Sequence, residues 1–548
     1  MDFRYLASGG RLFLMLNLIE FQMIMRRLTL IRLSMVAMLL LGIQACGGGG
    51  GSNGTAVPDW VISVDTNDSG TPLNNALLGH YDLSGTLYDY DLVGELITNM
   101  QAVGFSEWRV SVGRWEISTE MLPTLTDSSA CPIDPVLTNQ TATDLDLINA
   151  RSWFTDNGQP VTLIDTQDDA RYNLAYVRGV IDKALVFGAI PFVSIDLMPL
   201  ALSANRIPNR TDCTTSFMNA VSNHWPAEAD NLLFSQAVVG LVKRIVEGDS
   251  GEAGRPVTHW EIWNEPEFGY FWHEGLAART TEFFNMATFA LLALDEYRNT
   301  STDPNVQNLK FGLASFASAA TAVAALQAYD VSAAPVPMDF ISFHSYHNDP
   351  LAIAADIELV ANAAANSTNY QDIELVLAEW GSDLALTAGD ADYANSMQPP
   401  LLMSSAIAMG AALGLDRAHH SIFYDFHPGA KLGLIDNNGQ PKPLYRAYEL
   451  LSESITAGSV MLIPGNATNN QLTNNGTVLV TRDSGGSVRA LIINRDTASH
   501  TARLENLAGI MTPVQIKVFD DHAGPVAIVP VSSSEIAVPA QSLVLIEY

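Results

Sequence analysis

Positive charge is scarce in this chain of 548 residues: 28 Lys and Arg stand against 59 Asp and Glu, a formal charge of -31. A field of that sign repels phosphates, so nucleic acid is not an expected partner. Charge of either sign is sparse, at 16% of residues, while 48% are hydrophobic. That balance excludes a disordered chain or a coiled coil and leaves a compact globular protein with an acidic surface, suited to salty surroundings. No Gly-rich phosphate loop follows the first strand, which argues against a doubly wound nucleotide-binding sheet. The histidines of "HSYH" and "AHH" (His344, His347, His419, His420) lack the carboxylate-rich or cysteine-rich spacing of a metal site, so no catalytic metal is expected. No internal repeat is present. Cysteine is limited to Cys46, Cys131 and Cys213.

The first of these closes a recognisable segment. Arg26 and Arg27 precede the apolar run "LSMVAMLLLGI" and then "QAC", the charged, hydrophobic, small-residue order of a secretory signal. The run Leu33 to Ile43 is shorter than the roughly 20 apolar residues of a spanning helix. Residues ahead of Met23 or Met25 exceed what such a signal needs. "IQAC" resembles a bacterial lipoprotein signal, which implies lipidation of Cys46, an exported protein held to the cell envelope, and a membrane partner through that lipid. An ordinary signal cleaved near Ala45 is the alternative. Without residues 1–45, five basic and two acidic residues are lost, and the charge becomes -34. "GGGGGSNG" then reads as a flexible tether. In an oxidising compartment Cys131 and Cys213 are expected to pair, with two buried thiols as the alternative.

The expected organisation is a signal over 1–46, a tether over 47–57, a strand within 58–72 that joins a C-terminal β-sandwich, a barrel over 73–454 and the sandwich over 455–548. The barrel follows from eight short apolar runs that alternate with helical patterns. They are Leu77 to Asp82, Glu107 to Val112, Ile190 to Asp196, Val257 to Trp263, Leu309 to Ser315, Met338 to His344, Ile373 to Glu379 and His420 to Phe426. Eight βα units predict an α/β fold, a closed (β/α)8 TIM barrel. After "PLYRAYELLSES" the texture turns to short β-rich runs, "VLVTRD", "VRALIINRD" and "SLVLIEY" among them, which predict an antiparallel sandwich. Two long loops, Glu116 to Ala170 and Leu197 to Asn231, leave the ends of adjacent strands and carry Cys131 and Cys213, so a bridge between these would tie two walls of the cleft.

Glu265 falls just past the fourth strand and Glu379 at the end of the seventh, 114 residues apart in sequence yet on one face of a barrel. Two facing carboxylates about 5–5.5 Å apart are what a retaining glycosidase requires, one as nucleophile and one as acid and then base. Aromatic neighbours would raise the pKa of Glu265, while Arg109 and Tyr346 would keep Glu379 charged.

"EIWNEPEFGYFW", "DFISFHSYHNDP", "VLAEWGS", "PFVSIDLMPLALS" and "GLIDNNGQPKPLYRAYELL" together resemble glycoside hydrolase family 39, a β-xylosidase-like family of clan A, over roughly Leu77 to Leu451. The resemblance implies an enzyme that needs no cofactor, a carbohydrate substrate, Glu265 as acid/base and Glu379 as nucleophile. It implies that Asn264 bonds the sugar 2-hydroxyl, that Tyr346 orients the nucleophile and that His344 touches substrate or the acid. Arg109 would sit under the nucleophile as a charge partner, or pair with a neighbouring strand as a structural arginine, or both. His80 and Asp82 are candidates for sugar hydroxyls, with a core role as the alternative for them. Trp380 is expected as a subsite wall, and Phe268, Tyr270, Phe271 and Trp272 as a stacking platform or as loop packing. Two departures, Glu267 after Pro266 and the long second loop, bear on transfer of the family's usual exo-acting β-xylosidase activity. An endo-acting enzyme and a non-catalytic glycan-binding lipoprotein are the alternatives, and the presence of both carboxylates argues against the latter.

Overall fold

The structure, a computed structural model, describes residues 58–81, 98, 101–104, 106–112, 153–154, 161–162, 165–196, 198–202, 231–249, 251–269, 271–272, 275–332, 335–383, 391–423, 425, 431–436, 438–506, 509–521 and 524–548. Cys46, Cys131, Cys213, Asp82 and Tyr270, with the expectations attached to them, lie outside these residues.

Eight strands close a barrel: β1 (Gly79–Tyr81), β2 (Glu107–Val112), β3 (Ile190–Ile195), β4 (His259–Asn264), β5 (Lys310–Phe316), β6 (Phe340–Tyr346), β7 (Glu374–Gly381) and β8 (Arg417–Ser421). Each pairs in parallel with its neighbour in sequence, and β8 closes on β1. The α/β barrel predicted from the strand count is therefore the observed fold. Only β2 has the expected bounds; the other seven strands differ at one or both ends, and in the first and the last the reason is local. Leu77 and Leu78 belong to a 3-10 turn, Asn75–Leu78, capped by the Asn74 side chain, and β1 starts only at Gly79. A Cβ at Gly79 would lie 2.5 Å from His419 Cδ2, so the close approach of β8 admits no side chain there. β8 lies over Arg417–Ser421, upstream of the expected His420 to Phe426, because His419, His420 and Ser421 pair with Gly79, His80 and Tyr81.

Period-2 alternation sorts each strand. On β2 and β4, Trp108, Val110, Trp260 and Ile262 join the core shared with the surrounding helices. Their neighbours Glu107, Arg109, His259 and Glu261 fill the barrel and are also buried. The interior is layered. Lowest is a polar layer in which Glu107 and Glu374 hold Arg417, His419, His259 and Lys310. Above it Phe192, Phe340, Val376 and Ala378 form an apolar cluster. The Phe340 ring presses on Gly312, where any Cβ would meet it at 2.2 Å. Uppermost is the layer of Arg109, Glu261 and the residues at the strand ends.

The C-terminal region forms two sheets. The larger runs through Thr71–Pro72, Val460–Met461, Gly476–Arg482, Val488–Asn494, Ser542–Glu547, Gln515–Phe519 and Ala527–Val529, with Gln471–Thr473 beside Gly476–Arg482. The smaller joins Trp60–Val64, His500–Asn506, Gly509–Ile510 and Ile536–Val538. All their ladders are antiparallel except Trp60–Val64, which pairs in parallel with His500–Asn506. Continuous apolar runs such as "ALIIN" follow from burial of the larger sheet on both faces. Val478, Ala490, Ile492 and Val544 pack on the smaller sheet's Trp60, Ile62 and Leu504. Leu479, Leu491, Ile493 and Leu543 join the barrel's core. The helices Gln398–Ala412 and Pro443–Ser454 lie between, and Asn470 Nδ2 donates to the Ala408 carbonyl at 2.8 Å.

Candidate active site

The stretch "WEIWNEP" leaves the barrel through an unusual turn. Trp263 and Glu265 both have positive φ, 82° and 40°, and neither is glycine. Such conformations cost on the order of 1–3 kcal/mol each and persist where the surroundings hold them. Here the Trp263 ring is fully buried, edge-on to Trp272 at 5.2 Å, and its Nε1 donates to the Phe271 carbonyl. The Glu265 amide donates to the Ser315 carbonyl at 2.8 Å, which carries the β4–β5 ladder past the strand end. The turn brings the Glu265 carboxylate back over the barrel mouth.

A second irregularity aims Glu379. Phe343 pairs with Leu377 and His344 with Glu379, so β7 carries one extra residue, Ala378. Ala378 fills the apolar cluster, and the bulge lets Glu379, its immediate neighbour, also face the interior.

The two carboxylates share neighbours. Arg109 Nη1 donates to Glu379 Oε1 at 2.9 Å and Tyr346 Oη donates to Glu379 Oε2 at 3.1 Å. His344 stands between them, with Nδ1 2.8 Å from Glu265 Oε1 and Nε2 3.8 Å from Glu379 Oε1. Burial opposes a charge on His344, but the carboxylates of Glu379 and Glu265 outweigh it, and its pKa is raised above the ordinary histidine value. Burial and the charge of Glu379 push the Tyr346 phenol well above its usual range, so it stays a hydrogen-bond donor. Arg109 is fixed by more than Glu379. Its Nε and Nη2 reach Glu261 Oε2 at 3.0 and 2.6 Å, and Nη2 also lies 2.9 Å from Asn264 Oδ1, 2.7 Å from Ser315 Oγ and 3.3 Å from Ser194 Oγ. Tyr81 lies beneath the guanidinium, 4.9 Å from Cζ to the ring centre.

Asn264 uses its carbonyl on Arg109, and among the described residues its buried Nδ2 has no acceptor. That leaves one oriented donor beside the carboxylates. Arg109 pairs with Glu379 on β7 and with Glu261 on β4, a strand two places from its own rather than an adjacent one.

Other expected site residues lie elsewhere. His80 alternates with Tyr81, and it is Tyr81 that faces Arg109; His80 is fully buried on the helix side, its ring 4.8 Å from Tyr448 and 5.7 Å from Phe423. It is a core residue, and burial lowers its pKa well below the ordinary value. Trp380 is likewise not a subsite wall. β7 continues to Gly381, so the residue after Glu379 turns outward, fully buried, 6.1 Å from His420. Trp272 and Phe271 pack the loop after β4, with Trp272 edge-on to Phe283. Phe268 alone of the described aromatics there is exposed, at 41%.

Two carboxylates close to the site were missed. Glu261, fully buried, sits one alternation below the pair; a charge in the middle of "WEIW" was the available signal. Glu267 was singled out only as a departure. Its pKa is raised, first by burial and further by the charge of Glu265. Among the described residues no group of three or more His, Cys, Asp or Glu is arranged to hold a metal ion.

Comparison with known proteins places this arrangement in context. The family model for glycosyl hydrolases family 39 matches residues 108–415, from β2 to the residue pair before β8. No curated protein matches the sequence. Among solved structures, the family 39 enzyme from Xanthomonas axonopodis pv. citri superposes with a TM-score of 0.59 at 17% identity, covering 91% of this chain and 98% of its own. A glucosidase from Croceicoccus marinus gives 0.58 at 16% identity, covering 90% and 99%. A family 39 β-xylosidase from Caulobacter crescentus gives 0.57 at 15% identity, covering 89% and 99%. At these identities the likeness is one of fold.

Proposed function

The chain belongs to glycosyl hydrolases family 39 and is a glycoside hydrolase, and on that premise we propose that it is a retaining, exo-acting β-glycosidase of β-xylosidase type. The observation that carries the reading is the facing of Glu265 and Glu379 across His344, with donors from Arg109 and Tyr346 on Glu379 alone. Two charge-assisted hydrogen bonds favour an ionised Glu379, the state a nucleophile needs. Glu265, whose bonded neighbour is a single imidazole, is the group able to give up and regain a proton.

In the first step a Glu379 oxygen bonds to the anomeric carbon while the glycosidic C–O bond breaks and the Glu265 proton passes to the leaving oxygen. In the second, Glu265 takes a proton from water as that water displaces the ester and frees Glu379. Asn264 Nδ2 would donate to the 2-hydroxyl, and exposed Phe268 is the remaining candidate for a stacking surface. The exo-acting, xylosidase-type part of the reading is supported by the resemblance of "EIWNEPEFGYFW" and its companion motifs.

Purified wild type and Glu379→Ala, assayed on aryl glycosides and natural oligosaccharides, test it. Sugar released by wild type alone, with the anomeric configuration retained in the first product seen by NMR, is expected. An inverted product would refute the double displacement, and internal fragments cut from a polymer would replace exo with endo action.

We also propose export and a lipid anchor on Cys46, supported by Arg26, Arg27, the apolar run and "QAC". Labelled palmitate should enter the wild-type protein and not Cys46→Ser; equal labelling would refute the anchor.

A further inference from the structure

The guanidinium of Arg109 has two carboxylate partners and only one of them takes part in bond making. Glu261 accepts from Nε and Nη2, Glu379 from Nη1, and the Arg109 and Glu261 side chains are wholly shielded from solvent. The other Glu261 oxygen is held by Ser342 Oγ at 2.5 Å. We propose that Glu261 is a positioning residue for the reaction, fixing the Arg109 guanidinium beneath the nucleophile and balancing its charge while Glu379 is an ester.

The inference rests on the reading of Glu379 as nucleophile. At rest, two anions share one cation. When the Glu379 oxygen bonds to the anomeric carbon and the proton of Glu265 leaves with the departing oxygen, the ester carries no charge, and the negative charge that faced Arg109 passes to Glu265, on the other side of His344. A buried arginine left alone at that moment is strongly unfavourable, because a charge removed from water needs a partner. Glu261 is that partner, already in place at both ends of the step. It has a second effect at rest. By occupying the Nε and Nη2 side of the fork, Glu261 limits how strongly Arg109 stabilises the Glu379 carboxylate, which keeps that carboxylate basic enough to attack.

The titratable and charged groups that face Glu379 and Arg109 among the described residues are Tyr81 of β1, Glu261 and Glu265 at β4, His344 and Tyr346 of β6, and His419 of β8. Of these, Glu261 is the one whose charge meets Arg109 without meeting Glu379.

The test is Glu261→Gln, followed by kcat/KM against pH and by the pre-steady-state burst on an aryl glycoside. With the competing anion gone, the acidic limb should move to lower pH by about one unit. Glycosylation should slow about tenfold, so the burst should shrink. A lowered Tm with the limb and burst unmoved would leave Glu261 as packing alone and overturn the proposal. If Glu261→Gln does not fold, Arg109→Met/Glu261→Gln decides: recovery of a folded protein shows that the unpaired guanidinium was the fault, whereas continued unfolding overturns the proposal. Absence of hydrolysis by wild type on every substrate strikes the reading of Glu379 itself, and the inference falls with it.

Discussion

The imidazole of His344 meets Glu265 at 2.8 Å through Nδ1, while its Nε2 comes to 3.8 Å from Glu379. The imidazole is therefore placed between the carboxylate read as acid and the one read as nucleophile. Because the two carboxylates raise the His344 pKa against the effect of burial, His344 holds its proton to higher pH than an isolated imidazole would. Replacing the imidazole with an amide, His344→Gln, should move the basic limb of kcat/KM to lower pH by about one unit. An unmoved limb would mean that Glu265 carries the proton alone.

Tyr346 acts on the other limb. Its hydroxyl donates to Glu379 Oε2 at 3.1 Å, and removing a donor from a carboxylate raises that carboxylate's pKa. Tyr346→Phe should therefore shift the acidic limb upward, opposite in sign to Glu261→Gln, and lower kcat/KM about tenfold, the worth of a charge-assisted hydrogen bond. Profiles of both variants on one substrate provide the check; a shift of the same sign in both would contradict the arrangement.

Glu265→Ala should separate substrates by leaving group. Aglycones that need protonation should lose about 10²–10⁴ in kcat/KM, the usual contribution of a general acid. Activated aryl glycosides should lose far less in the first step and be accelerated by azide, which attacks the ester without a general base. A product of azide with inverted configuration relative to the ordinary product would assign Glu265 elsewhere.

The placement of His80 gives a prediction of the opposite kind. Fully buried against Tyr448 and Phe423, it contributes packing to the interface between β1 and helix Pro443–Ser454. His80→Ala should lower Tm by several degrees, as core truncations do, and leave KM within about twofold. A raised KM with unchanged Tm would return His80 to the substrate.

These cases mark what the sequence made legible. Strand count and order came from apolar runs and their spacing, and both glutamates were locatable because each closes such a run. Facing was legible only where the ladder is regular. Alternation on β2 puts Arg109 inside, but the extra Ala378 in β7 changes which neighbour looks inward, and no residue type announces it. The three-residue β1 is too short for a pattern to tell His80 from Tyr81. Trp380 was misjudged because the strand runs to Gly381. Glu261 had a signal, a lone charge amid "WEIW", which only makes sense once Arg109 is known to lie across from it.

The floor of the barrel predicts acid lability. Glu374 is held well below the usual carboxylate range: burial works against this, but His259, Arg417 and Lys310 outweigh it. Glu107 is also lowered, by Arg417 and His419 acting against its burial, and burial lowers His419. All three groups bind protons more weakly folded than unfolded, so each contributes stability that is present above its unfolded pKa and lost as pH falls toward its folded one. The loss should begin below the ordinary histidine value of about 6.5 and steepen below the carboxylate value near 4.5. Glu374→Gln should reduce Tm at pH 7, because it leaves Lys310 and Arg417 short of a partner. The same variant should lose less Tm than wild type between pH 7 and pH 4, since the group that would take up the proton is gone. Thermal unfolding across that range decides: parallel losses in both proteins would place the acid-sensitive group outside this layer.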